Sequence, residues 1–192
     1  NQCISIDMSS TGKRYGYLAS VLLPLMLLSS TLACTNMLVT PKASATGDAM
    51  IAYNADSGNL MGHLYHYPAT ERDSSINSEM RKVWNWDTAE YLGEIPEAPT
   101  TYNVVGNTNE HGLVIAETTF GGIDVLANPK HQPGAKIDYG SLIWITLQRS
   151  KNVKEAINTM VNLMDTYGYA SEGESFSLAD GNGEVWIMEV IG

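Results

Sequence analysis

The position of one cysteine in this chain suggests both proteolytic processing and catalysis. Cys34 follows the small-residue stretch 29–33 in the run STLACTNM, and a cut between Ala33 and Cys34 would give the cysteine a free α-amino group. Because an α-amine has a pKa of about 7.7 to 8.0, a useful neutral fraction exists near pH 7. A thiol beside its own α-amine is therefore a nucleophile that carries its own general base.

The first 33 residues have the layout of a secretory signal peptide. Lys13 and Arg14 precede an apolar run over residues 17–28, and small residues follow it. Pro24 and several serines interrupt this region, which is too short to favour a membrane-spanning helix. We therefore predict that residues 1–33 are a leader, removed on export to the periplasm, the extracellular space or the cell surface.

The two ends of the chain suggest where the native protein begins and where its domain continues. Met8 lies just before the basic pair and would make a conventional start, so residues 1–7 are interpreted as non-native. The chain stops at Gly192 directly after a predicted strand. We expect residues 34–192 to be the N-terminal part of a longer catalytic domain.

Two other interpretations of Cys34 stay open. A lipoprotein signal needs a small residue before the cysteine, as Ala33 is, and usually a leucine three positions before it, where this chain has Thr31. A diacylated Cys34 would bind the chain to a membrane, and acylation of its amine would remove the base. The third interpretation is a structural thiol. Cys3, the other cysteine, would leave with the leader, so no internal disulfide is expected.

Asp56 is the residue that the predicted elements would bring next to Cys34. The pattern is strand-like in CTNMLVT and again in AMIAYN, and the turn signal ATGD lies between them, which predicts two paired strands. The return of the second strand would place Asp56 beside Cys34, where a carboxylate could hold the amine. The alternative for Asp56 is the common role of aspartate in turns.

Composition limits the classes of function. The chain has 192 residues, 44% of them hydrophobic, which is enough for one domain with a substantial core. A formal net charge of −10 and the lack of a basic run argue against a nucleic-acid partner.

Two pairs of side chains are interpreted as structural rather than functional. His63 and His66 have a spacing compatible with metal ligands, but no third ligand accompanies them at a recognised interval, so a packing or surface role is expected. Glu172 and Glu174, in SEGES, are expected in a solvated turn, with orientation of a substrate amine as the alternative.

The remaining pattern predicts strands, then helices, then strands. Residues 57–99 show no clean period and are interpreted as long loops with short elements. Two apolar runs within residues 102–121 flank a turn and predict a hairpin. Residues 139–167 have helical spacing and predict two helices, while residues 175–190 predict a second hairpin. This order indicates an α+β fold in which helices cover an antiparallel sheet.

Four blocks of the sequence resemble the secreted cysteine dipeptidases of the N-terminal nucleophile (Ntn) hydrolase superfamily. In chain order they are CTNMLVTPKASATGDAMIAYNADSG, NTNEHGLVIAETTFGG, IDYGSLIWITLQRS and YGYASEGESFSLADGNGEVWIMEV. The resemblance implies an αββα sandwich that hydrolyses amide bonds in small peptides and requires no metal or organic cofactor. Penicillin V acylases and bile salt hydrolases are more distant relatives.

The resemblance also implies roles for individual residues. Cys34 corresponds to the nucleophile, Asp56 to an aspartate that contacts its amine, and Thr119 to a position that helps to form the oxyanion hole. Tyr53 and Asn54 are assigned to substrate binding, and Tyr53 stands nearest to where many relatives have an arginine. In the acylases, an asparagine and an arginine that complete the site lie beyond the point matching the last residue of this chain.

Two classes of function follow from these observations. The first is a cysteine hydrolase of small peptides, with a related linear-amide acylase as its variant. The second is a non-enzymatic surface lipoprotein anchored through Cys34, which would use the aromatic segment 65–91 as its contact surface.

Overall fold

The fold is built from twelve strands and three helices in the part of the chain that the structure describes. This computed structural model describes residues 34–56, 62–73, 79–127 and 133–191, all within the unit Leu32–Gly192. The leader prediction for residues 1–33 lies outside the described residues. The elements are β1 (Thr35–Val39), β2 (Met50–Asn54), β3 (His66–Tyr67), β4 (Thr70–Glu71), β5 (Met80–Trp84), β6 (Tyr91–Pro96), β7 (Thr100–Thr101), β8 (Val104–Val105), β9 (Thr108–Asn109), β10 (Val114–Gly121), α1 (Asp124–Ala127), α2 (Tyr139–Leu147), α3 (Val153–Tyr167), β11 (Gly173–Ala179) and β12 (Val185–Val190).

Six strands form the largest sheet. Their order is β12-β11-β10-β9-β8-β3, and every neighbouring pair is antiparallel. The hairpin β1–β2 contacts both β10 and β11, and the side-chain amide of Asn36 donates to the hydroxyl of Ser177 over 3.0 Å. The start of β1 is thereby held against β10 and β11, two adjacent strands of the sheet.

Helices α2 and α3 contact each other, α2 contacts β10, and α3 contacts β12. The carboxylate of Asp138 accepts the Ser141 N–H over 3.2 Å and so caps α2, in which seven of nine residues are buried. Gly168, with φ 74°, ends α3. The buried positions of α3 recur at intervals of three and four, so one stripe joins the core: Val153, Ala156, Met160 and Leu163. Burial of each large aliphatic side chain contributes about 1.5 to 3 kcal/mol.

The coarse fold class is confirmed, because the described residues form a mixed α+β structure with antiparallel sheets and two helices longer than one turn. The β1–β2 pair, the β11–β12 hairpin, α2 and α3 lie where the sequence predicts them. The αββα layering that the resemblance implies stays a prediction. No helix among the described residues is long and apolar enough to span a membrane.

The predicted hairpin over residues 102–121 is wrong in its pairing. Its first apolar run turns tightly at Gly106, with φ 56°, and β8 pairs with β9. The side chain of Asn109 then accepts the N–H groups of His111 and Leu113 over 3.0 and 3.1 Å, which shapes a second turn. β10 pairs along its whole length with β11 and pairs with β9 only at Val114.

The interpretation of residues 57–99 as long loops is also wrong in part. β5 and β6 form a regular hairpin, and β3 and β4 pair with β8 and β7. The register of the hairpin shifts between Val83 and Trp84. Because this irregularity interrupts the two-residue alternation, the sequence pattern does not predict the β5–β6 hairpin.

Candidate active site

Cys34 lies immediately before β1, and Asp56 lies two positions after the end of β2. Antiparallel pairing of Thr35 with Asn54 brings these two ends together, as the sequence predicts. The contact, however, runs through the main chain, because the Asp56 backbone N–H is directed at the Cys34 thiol. A backbone donor in this position favours the thiolate.

The carboxylate of Asp56 is occupied by its neighbour. Asn54 donates its side-chain amide to Asp56 Oδ1 over 2.6 Å, and both residues are exposed. This hydrogen bond orients the Asp56 carboxylate. The role of Asp56 in holding the amine, and that of Asn54 in binding substrate, stay predictions.

Glu117, on β10, is an acidic group in contact with the thiol. The Cys34 thiol donates to Glu117 Oε1 over 3.8 Å, and the hydroxyl of Tyr53 donates to the same oxygen in a short hydrogen bond. Glu117 is only 5% exposed. Burial and this contact with Glu117 raise the pKa of Tyr53 well above its ordinary value, so its hydroxyl keeps its proton and acts as a donor.

A second buried carboxyl, that of Glu174 on β11, lies next to Glu117. Thr119 pairs across the sheet with Glu174, and Glu117 pairs with Phe176, so the two glutamates are diagonal neighbours on one face. Glu174 is 1% exposed and accepts the hydroxyl of Thr119 over 2.9 Å. One oxygen of each carboxyl, Oε2 of Glu117 and Oε1 of Glu174, has no conventional donor.

The two carboxyls are close enough to share a proton. Burial, followed by the hydrogen bond and the charge of Glu117, raises the pKa of Glu174 to about 9. Two close carboxylates in a protein interior cannot both ionise at neutral pH, because neither is solvated and their charges repel. Among the described residues, no Lys, Arg or His forms a salt bridge with either carboxyl.

This acidic neighbourhood acts on Cys34. Burial, and then the negative charge of the Glu117–Glu174 pair, raise the pKa of the Cys34 thiol, and they outweigh the opposing effect of the Asp56 N–H. The thiol is therefore protonated at neutral pH. Attack on a carbonyl from this state requires a base that removes the proton.

Thr119 lies at the end of β10 where the pairing with β11 becomes irregular, between Thr119 and Gly121. Its side chain is exposed, and its hydroxyl is donated to Glu174 rather than left free for an oxyanion. Any oxyanion donor at this position is then a backbone N–H. The assignment of Thr119 to the oxyanion hole stays a prediction.

Sequence reasoning missed Glu117, and it was wrong about Glu174, which is buried in β11 rather than solvated. The signal was strand parity, because Glu117 is two positions from Ile115, and Glu174 is two positions from Phe176. Ile115 and Phe176 are both fully buried. An acidic residue in phase with buried apolar positions of a strand marks a buried carboxyl.

Other parts of the described chain do not contribute to this site. A cavity of about 330 Å³ lies at the turn end of the β1–β2 hairpin, lined by residues such as Asp48, Val114 and Asp180, and does not include Cys34. His66 hydrogen-bonds to Asn103 over 2.8 Å, and the described residues contain no group of three metal-type ligands.

Two comparisons with known proteins bear on this arrangement. The family model for peptidase family C69 matches residues 33–192, so the match covers every residue of the site. A protein named probable dipeptidase, from Salmonella dublin, is 25% identical over 173 residues, which cover 86% of this chain. The chain spans 40% of the length of that relative. No solved structure matches the chain significantly.

Proposed function

The chain belongs to peptidase family C69, and we propose that it is the N-terminal part of an exported dipeptidase whose nucleophile is Cys34, made N-terminal by removal of the leader. The observation that carries the proposal is the position of Cys34. It stands at the start of the family match, partly buried against the Asp56 main chain and the Glu117 carboxyl.

The need for a base supports an N-terminal cysteine. Because burial and acidic neighbours raise the pKa of the Cys34 thiol, the group does not ionise unaided at neutral pH. In the described part of the chain, the side chain that hydrogen-bonds to the thiol is the Glu117 carboxyl, and no imidazole does so. An α-amine on Cys34 itself, with its pKa near neutrality, supplies the missing base without a further residue.

The proposed reaction has two halves. The α-amine takes the thiol proton, Cys34 Sγ forms a bond to the scissile carbonyl carbon, and backbone N–H groups near Thr119 stabilise the oxyanion. Collapse breaks the C–N bond, and the α-ammonium gives its proton to the leaving amine. Water then attacks the thioester, the α-amine accepts a proton from the water, and the C–S bond breaks to regenerate the thiol.

Supporting roles follow for the hairpin end and for the fold. Asp56, oriented by Asn54, holds the α-amine of Cys34, and Tyr53 contributes to substrate binding from the same strand end. The layers belong to an αββα sandwich of the Ntn hydrolases, which the observed contacts of β1–β2 with β10 and β11 support.

The experiment uses the full-length protein secreted from its producing cells. Cys34→Ala should abolish the hydrolysis of dipeptides, while Lys154→Met, a change at an exposed position of α3, should leave it unchanged. Penicillin V and conjugated bile acids are assayed in parallel to separate a dipeptidase from an acylase. Undiminished turnover of dipeptides by a folded Cys34→Ala protein overturns the proposal, and thermal unfolding of each variant establishes that it is folded.

A further inference from the structure

The Glu117–Glu174 pair is a buried acidic group that the described protein does not neutralise. A single shared proton leaves the pair with one negative charge, and no cationic side chain of the described residues forms a salt bridge with it. Apart from the shared proton, Glu117 Oε2 and Glu174 Oε1 have no hydrogen-bond partner. A buried charge is costly unless it is paired, so this pair can receive a cation that the described residues do not supply.

Distance relates that cation to the nucleophile. A carbonyl carbon in position for attack lies about 3 to 3.5 Å from the nucleophilic atom. In a peptide with a free N-terminus, the α-ammonium nitrogen is two bonds, or about 2.5 Å, from the carbonyl carbon of the first residue. Glu117 Oε1 lies 3.8 Å from Cys34 Sγ. An ammonium group at hydrogen-bond distance from Glu117 therefore fits a substrate whose first peptide bond is being attacked.

We propose that the Glu117–Glu174 pair binds the α-ammonium group of the substrate and thereby selects peptides with a free N-terminus, cut after their first residue. This inference rests on the proposed function, because it places Cys34 as the nucleophile. It adds a specificity determinant to that reaction.

The surrounding hydrogen bonds suit this task. The Tyr53 hydroxyl fixes Glu117 Oε1, and the Thr119 hydroxyl fixes Glu174 Oε2, so both carboxyls are oriented before a substrate arrives. The proton of Glu174 prevents repulsion within the pair but leaves one charge for the ammonium. The Cys34 thiol stops donating to Glu117 Oε1 once its proton moves to the α-amine, which frees a lone pair for the incoming N–H.

The same chemistry separates two substrate classes. The acyl groups of penicillin V and of conjugated bile acids have no ammonium group next to the scissile carbonyl. For such substrates an unneutralised carboxyl pair beside the thiol offers no binding interaction and adds a desolvated charge. The pair therefore favours a dipeptidase over an acylase.

The test compares free and N-acetylated forms of the same dipeptide on the full-length protein. The wild type should prefer the free form, and Glu117→Gln should reduce that preference, the ratio of the two kcat/KM values, by about 10- to 100-fold, as expected for a hydrogen bond to a charged group. Most of the reduced preference should come from an increase in the KM for the free dipeptide. Glu90→Gln, an exposed glutamate between β5 and β6, is the matched control and should keep the wild-type ratio.

Two outcomes overturn the inference: a wild-type enzyme that cleaves both forms equally well, or a Glu117→Gln enzyme that loses both activities by one factor. Failure of the proposed function is recognised separately, by a Cys34→Ala protein that still turns over dipeptides. If Glu117→Gln does not fold, the inference is tested by the wild type alone, through its preference for the free over the N-acetylated dipeptide. A ketomethylene dipeptide isostere with a free amine should protect Cys34 from iodoacetamide, and its N-acetylated form should not; equal protection contradicts the inference.

Discussion

Two regions of the molecule bury carboxyl groups and treat their charge in opposite ways. Glu97, whose side chain is 8% exposed, forms ion pairs through Oε1 with Arg81 and Arg72. Glu117 and Glu174 are as deeply buried but have no cationic partner among the described residues. Each region also leaves an oxygen without a donor, so charge compensation is what distinguishes them.

The difference separates structure from function. The Glu97 cluster joins β4, β5 and β6 with charges that the protein itself balances, so its role is complete without a ligand. The Glu117–Glu174 pair lies beside Cys34 and keeps a charge that no cationic side chain of the described residues pairs with. Carboxyl groups with strongly perturbed pKa values cluster at functional sites. The pair and Cys34 are therefore assigned to one site.

The largest contrast is expected when the same isosteric change is made in both regions. Glu97→Gln should lower the free energy of unfolding by about 3 kcal/mol, because it leaves Arg81, which is mostly buried, without a carboxylate partner, while Arg72 keeps its ion pair with Glu79. Glu174→Gln should have little effect at pH 5, where the carboxyl that it replaces is already neutral. Urea denaturation of the two variants measures both values, and equal losses would remove the distinction between the regions.

The pH dependence of stability sharpens the same contrast. Because folding raises the pKa of Glu174 above that of the unfolded chain, the folded state binds the additional proton, and its stabilising effect is lost as pH rises toward about 9. Between pH 5 and 8 the wild type should lose about 1 kcal/mol per pH unit relative to Glu174→Gln. Urea titrations across this range check the slope, and parallel curves for the two proteins would contradict a shared proton.

A smaller effect is expected on the thiol. Glu117→Gln removes a negative charge that raises the pKa of Cys34, although burial remains the larger cause. Alkylation by iodoacetamide at pH 7 should therefore become about three- to tenfold faster, since the thiolate is the reactive form. Glu97→Gln serves as the comparison and should leave the rate unchanged. A slower reaction in Glu117→Gln would show that the carboxylate activates the thiol instead.

The smallest effect on the free energy of unfolding is expected for an exposed ion pair. Lys154 and Glu184 form an exposed ion pair with an N–O distance of 3.5 Å. Lys154→Met should change the free energy of unfolding by no more than about 0.5 kcal/mol, because solvent already screens these charges. A loss comparable to that of Glu97→Gln would mean that burial is not what gives ion pairs their weight in this protein.

Local patterns in the sequence predict much of the fold. Alternation predicts β1 and β2, the Asp180–Gly183 turn predicts the β11–β12 hairpin, and helical spacing predicts α2 and α3. The return of the β1–β2 hairpin also places Asp56 next to Cys34. These features depend on neighbours within about twenty positions, which a local pattern contains.

The acidic part of the site depends on distant neighbours. Thr119 and Glu174 meet across 55 positions, and the register between β10 and β11 decides that Glu117 lies beside Glu174. In the sequence alone, only the two-residue phase of Glu174 with Phe176 distinguishes SEGES from a solvated turn. β5 and β6 were missed for a related reason, since the irregularity after Val83 interrupts the strand pattern.

The most direct test of the central claim is the intact mass and N-terminal sequence of the mature protein recovered from its producing cells. The account predicts a chain that begins at Cys34 with an unmodified α-amine. A mass raised by a diacylglyceryl group, or a chain that begins at any other residue, would contradict it, because Cys34 would then lack the base that its raised pKa requires.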